Sequence, residues 1–167
     1  MANANELKPF ILRWEGGFAD VPGDHGGATN KGVTIGTFRT FFGQDKTVAD
    51  LKALTDAQWM HVFTKGFWNP CHGDEIQNQS LANIIVDWAW GSGTINAIKR
   101  VQTAIGVKSD GVVGAITLGK LNAEPHWCFD RIKAARRNFL VAIAQKPNQS
   151  KFLKGWMNRL NAITWHE

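Results

Sequence analysis

Residues 13–36 read RWEGGFADVPGDHGGATNKGVTIG, and in this run Glu15, Asp20, Asp24, Thr29 and Thr34 stand among glycines. Carboxylates and hydroxyls on a glycine-rich loop are the materials of acid–base catalysis. Leu7, Phe10, Ile11 and Trp14 recur at i, i+3, i+4 and i+7, which predicts a helix with one apolar stripe. Glu15 falls four residues after Ile11, on the margin of that stripe, and Gly16-Gly17 stops the helix. A carboxyl half-covered by apolar neighbours, at the negative end of a helix dipole, is disfavoured as an anion. That is the condition for a general acid near neutral pH. Asp24 lies nine residues beyond Glu15 and Asp20 five. Nine residues let the chain cross a cleft, whereas five keep both groups on one side. Asp24 is therefore the expected second carboxylate.

Residues 17–36 are expected to form an irregular loop with a small β-hairpin. Turn signals sit at Pro22-Gly23 and Gly26-Gly27, and Val33 and Ile35 flank Thr34 in a short strand-like piece. Such a loop lets backbone approach a ligand closely. Asp24-His25 has no His or Asp partner at ligand spacing, so no metal site is expected. The rest reads helical. A short turn covers Phe38–Phe42, Thr47 caps a helix through Leu51 and Leu54, and Thr55-Asp56 caps another carrying Trp59, Val62 and Phe63. The stretch 79–90, with Leu81, Ile84, Ile85 and Trp88 on one face, is the expected central buried helix. Asp87 beside that face is costly unless hydrogen-bonded, and is read as bonding to a loop. Gly91-Ser92-Gly93 breaks the chain before Ile95–Ile105. Residues 98–122 read as a helix, a Gly-rich turn around Asp110-Gly111 and Gly114, and a second short helix. Two more helices fill the end of the chain, separated by Pro147-Asn148, with Arg136 and Arg137 on the outer side of the first.

With 167 residues, 44% hydrophobic and 20% charged, the chain suits a folded globular protein rather than a disordered one. It holds eight Trp and no Tyr, and Trp faces serve as platforms for sugar rings as well as core. The net charge of +5 is uneven: residues 1–122 balance eleven basic against eleven acidic residues, and 123–167 carry eight against three. Such a segment attracts a polyanion, and an anionic wall or membrane is preferred to nucleic acid because no nucleic-acid motif is present. Cys71 and Cys128 form no metal-type spacing and are expected as reduced thiols. A thiol peptidase would need a His partner, and the adjacency of His72 and His126 does not supply one. The N-terminus has no signal-peptide pattern, so synthesis in the cytoplasm is expected.

The motif Glu15-Gly16-Gly17-Phe18, followed by Asp24-x-Gly-Gly-x-Thr and Gly-Val-Thr, resembles glycoside hydrolase family 108, the N-acetylmuramidases of phage and prophage endolysins and their bacterial relatives. Phe67-Trp68, IIVDWAWGSG (84–93), 98–122 and FLKGWMNRL (152–160) extend the resemblance over nearly the whole chain, and 98–122 is similar to the family's peptidoglycan-binding region. The family commonly has Tyr where Phe18 stands and Asn where Gly91 stands. The resemblance implies one lysozyme-like, mainly α domain over 1–167, with a catalytic lobe at 1–92 and a helical lobe at 93–167. It also implies cleavage of the β-1,4 bond between N-acetylmuramic acid and N-acetylglucosamine, with Glu15 as the acid and no cofactor. Thr29 or Thr34 is expected to hold the attacking water opposite, alongside Asp24, which suits inversion at a carboxyl separation of about 6.5–9.5 Å. A monomer that reaches the wall by holin-type release or export is expected. The alternatives are a lytic transglycosylase and a non-catalytic wall-binding or secretion-accessory protein.

Overall fold

A computed structural model describes residues 1–22 and 26–167. Asp24, and with it the Asp24-His25 pair, lies outside the described residues. The chain is mainly helical, with one small antiparallel sheet, and divides into two compact units.

The first unit covers 5–66. It contains most of α1 (Ala4–Trp14), then the hairpin of β1 (Thr29–Asn30) and β2 (Val33–Thr34). Three short helices follow: α2 (Ile35–Phe42), α3 (Val48–Lys52) and α4 (Asp56–Phe63). Their starts follow from capping chemistry. The hydroxyls of Thr34, Thr47 and Thr55 each accept the backbone N–H three residues on, and Thr47 and Thr55 complete reciprocal capping boxes with Asp50 and Gln58. The helix expected at Phe38–Phe42 begins earlier, at Ile35, because the Thr34 cap turns the chain directly out of β2. Leu7, Ile11, Val33, Phe38, Leu51, Trp59, Val62 and Phe63 are buried.

The second unit comprises 1–4 and 67–167. Its helices are α5 (Gln79–Ser92), α6 (Thr94–Ile105), α7 (Ala115–Ala123), α8 (Pro125–Ala144) and α9 (Leu153–Asn161). The helix α5 is the expected buried one: Leu81, Ile84, Ile85 and Trp88 are closed from solvent, and α5 packs on both α6 and α8. It runs through Gly91 and Ser92 and stops at Gly93, whose φ of 86° no helix can continue. Between α6 and α7 the chain is organised by Gln102, 1% exposed. Its amide donates to Asp110 Oδ1, the Val112 carbonyl and Thr117 Oγ1, and its oxygen accepts the Gly111 N–H.

Asp87 does not bond to a loop. It is fully buried and takes two arginines from two helices. Arg159 of α9 donates from Nη2 to Oδ1 at 2.7 Å and from Nε at 3.1 Å, and Arg136 of α8 reaches Oδ2 at 2.8 Å. Arg136, expected on the outer side of its helix, is therefore 6% exposed. It lies four residues after Ile132 and four before Leu140, squarely on the apolar stripe, where the carboxylate holds it. Arg137 is exposed as expected.

Asp87→Asn removes the charge that holds two guanidinium groups, and an unpaired buried charge costs about 3–5 kcal/mol; urea denaturation should show a loss of that size. The Asp110 carboxyl is held below its ordinary 3.8, chiefly by the Val112 N–H and then by Gln102. The sign is that of a depressed acid: its stabilisation is complete above the ordinary value and is lost as pH falls through the lower folded one. Melting temperatures measured down an acid series should therefore fall less steeply for Asp110→Ala than for the natural chain.

Candidate active site

Glu15 follows directly on α1 and prolongs it by one bond, its N–H meeting the Ile11 carbonyl at 3.1 Å. The side chain is half-buried. Opposite it stands the hairpin turn. Thr29 pairs with Thr34 and Asn30 with Val33, which leaves Lys31-Gly32 as a two-residue connection. Both turn residues have positive φ, 50° and 82°, the requirement of a type I′ turn and the reason glycine is favoured there. Ala19 adds a further edge by exchanging two 2.8 Å bonds with Thr29.

Glycine at 32 answers a second demand. A Cβ built there would stand 2.8 Å from Cδ of Glu15 and 2.9 Å from its Oε2. The carboxyl thus lies directly on the bare backbone of the turn.

The turn is held by buried polar bonds within the same unit. Asn30 Nδ2 donates to the carbonyls of Leu51 (3.0 Å) and Lys52 (3.2 Å), at the end of α3. Trp59 Nε1 of α4 donates to the Lys31 carbonyl at 3.0 Å. Lys8 of α1 pairs with Asp56 at 2.5 Å and lies over the Trp59 ring. Trp59 itself stacks on Phe63, centroids 5.1 Å apart. One indole therefore ties both the helix that presents Glu15 and the turn that meets it to α4.

The two threonines share the half-exposed face of the hairpin, while Asn30 and Val33 point to the buried one. Thr34 Oγ1 accepts the Thr37 N–H at 3.1 Å and donates to the Thr37 hydroxyl at 3.0 Å. A hydroxyl oxygen has two lone pairs, so one remains for a water. Of the four candidate residues, Glu15, Thr29 and Thr34 belong to this one unit. Asp20 is exposed.

Gly32, Asn30 and Trp59 do not stand out in the sequence as site residues. The available signal was the Asn-Lys-Gly turn, but strands of two residues are too short to show alternation.

The thiols do not resemble nucleophiles. Cys71 and Cys128 are free and buried, and burial pushes the Cys71 thiol up to about 12, far from the reactive thiolate range. His72 Nδ1 is engaged by Glu75 at 2.5 Å, and His126 stacks on Trp165. Among the described residues no group of three or more His, Cys, Asp or Glu is arranged to hold a metal ion, and no helix is long and apolar enough to cross a membrane.

The chain is similar over 95% of its length, and over 90% of the other, to the solved structure of SagA from Brucella abortus, with a TM-score of 0.83 and 31% identity. The fold is lysozyme-like. Residues 8–93 match the family model for glycosyl hydrolase 108, and residues 96–161 match one described as a predicted peptidoglycan domain. The chain belongs to glycosyl hydrolase family 108, and its two matched regions make it a peptidoglycan hydrolase. No curated protein matches it.

Gly32→Ala forces a side chain into a positive-φ position and into the volume of the Glu15 carboxyl. We expect a folded protein whose rate of dye release from labelled peptidoglycan falls by about a hundredfold, as displacement of a catalytic group by about 1 Å can produce.

Proposed function

We propose that the protein is an N-acetylmuramidase, cleaving the β-1,4 bond between N-acetylmuramic acid and N-acetylglucosamine, with Glu15 as the proton donor. The observation that carries this reading is the seating of Glu15, half-buried at the end of α1 with its carboxyl against the glycine of the hairpin turn. This acid falls within the region that matches the hydrolase family. Backbone without a side chain leaves the acid a firm seat and leaves room for a sugar to approach.

In this reading Glu15 protonates the leaving glycosidic oxygen as the bond breaks. Asp24 acts on the other side of the sugar as the base that activates water, in the inverting arrangement. Thr34, with one lone pair free beside its capping bond, and Thr29 opposite it in register, hold that water. Their shared half-exposed face supports the pairing.

The basic C-terminal segment adds attraction to an anionic wall, though its reach is smaller than its composition implies. Arg136 and Arg159 are spent on Asp87, and Lys133 donates to the Ile163 carbonyl. Arg131, Arg137, Lys146, Lys151 and Lys154 remain exposed. The enzyme is read as a monomeric endolysin, made in the cytoplasm and delivered to the wall by holin-type release or export.

Glu15→Gln should stay folded while wall hydrolysis falls by about 10²–10⁴, the usual contribution of a positioned acid; a folded and fully lytic variant would overturn the assignment. Asp24→Asn should lose less. Mass spectrometry of the products should show reducing N-acetylmuramic acid ends, whereas 1,6-anhydro ends would make the enzyme a lytic transglycosylase.

A further inference from the structure

Lys31 is held in a conformation that its residue type disfavours. Its φ of 50° lies in the left-handed region, where a Cβ crowds the backbone. The first central position of a type I′ turn is ordinarily Asn, Asp or Gly, and here it is lysine. Among the described residues of the first unit, no other residue except glycine has a positive φ. The backbone strain of that unit is therefore concentrated beside the candidate acid. Such a residue persists only where its surroundings over-determine it.

The hairpin alone does not do so, since strands of two residues are marginal by themselves. Asn30 ties the preceding residue to the end of α3. Lys31 itself is held by one bond, from Trp59 Nε1 to its carbonyl at 3.0 Å. The donor is rigid: Trp59 is 1% exposed, stacks on Phe63 at an interplanar angle of 19°, and lies under Lys8. A buried indole N–H without an acceptor is costly, which ties the peptide between Lys31 and Gly32 to the orientation that keeps Lys31 left-handed. The nitrogen of that peptide belongs to Gly32, and the Glu15 carboxyl lies 2.8 Å from where a Cβ of Gly32 would stand. Relaxation of Lys31 to negative φ would turn this peptide and shift the seat of the acid.

We propose that Trp59 is a positioning residue for the reaction: its indole N–H offsets the strain at Lys31 and so fixes the peptide against which Glu15 rests. The proposal rests on the reading of Glu15 as the proton donor. Trp59 acts through the turn, so its loss falls on the transition state, where the proton is delivered, and leaves substrate binding alone.

The test is a double-variant cycle on the full chain, reading kcat and KM on solubilised peptidoglycan strands and the Gly32 amide signal by NMR. Trp59→Phe keeps an aromatic ring beside Phe63 and Lys8 but removes the N–H. In the natural background it should lower kcat about tenfold with KM unchanged, and move the Gly32 signal. In the Lys31→Asn background, which supplies the Asn-Gly pair that a type I′ turn prefers, the same substitution should lower kcat by less than about twofold. Benzothienylalanine at position 59, which replaces the N–H by sulfur at nearly constant volume, should repeat both results without loss of packing. A purely structural role would lower kcat equally in the two backgrounds, and equal losses overturn the proposal. A rise in KM at constant kcat overturns it as well. If the Gly32 signal moves and Lys31→Asn restores it while hydrolysis continues at the natural rate, Glu15 is not the acid and only the turn lock stands. Absence of coupling in both readouts, with Glu15→Gln inactive, refutes the lock alone.

Discussion

The carboxyl of Glu15 and a side chain at position 32 cannot occupy the same space, and much of the first unit is arranged around that exclusion. The turn must carry glycine, and the turn must stay where it is. A two-residue connection with both φ angles positive meets the first demand. Asn30 and Trp59 meet the second: the Asn30 amide donates to the Leu51 and Lys52 carbonyls at the end of α3, and the Trp59 indole donates to the Lys31 carbonyl of the turn. The same Trp59 ring lies under Lys8 of α1, so the acid and its seat share one anchor. This bracing lets a carboxyl on a helix end keep a fixed position beside a loop.

The second unit has its own fixed point. Asp87 lies in the most apolar helix and is tolerated because two guanidinium groups answer it from α8 and α9. A buried ion pair adds little to stability beyond what well-packed apolar residues would supply, but here one carboxylate joins α5 to both α8 and α9. It also removes charge from the C-terminal surface, so the basic excess of residues 123–167 is partly structural rather than available to a wall polymer. Arg136 thereby becomes an interior residue.

Local chemistry was readable from the chain in proportion to how local it was. The caps at Thr47 and Thr55, the stripe of Leu7, Ile11 and Trp14, and the apolar face of residues 79–90 needed only neighbours within one or two turns. The motif around Glu15 was legible for the same reason, and so was the family resemblance it carries. The hairpin was placed only loosely, since two-residue strands carry too little pattern to locate. The burial of Arg136 is not legible in the sequence, because a charged residue on an apolar stripe reads as the stripe's edge until its counter-ion is known. That counter-ion lies 49 positions away, and α9 supplies a second arginine 72 positions from Asp87.

The sequence alone determined the mainly α class, the caps and breaks of the helices, the family and the identity of the candidate acid. These rest on periodicity, turn chemistry and short motifs, all of which act over a few residues. Tertiary structure alone decided that Gly32 is the seat of Glu15, that one indole braces both, and that Asp87 draws two arginines inward. Each of those depends on two groups excluding or neutralising one another across tens of residues, and separation along a chain does not encode distance in space.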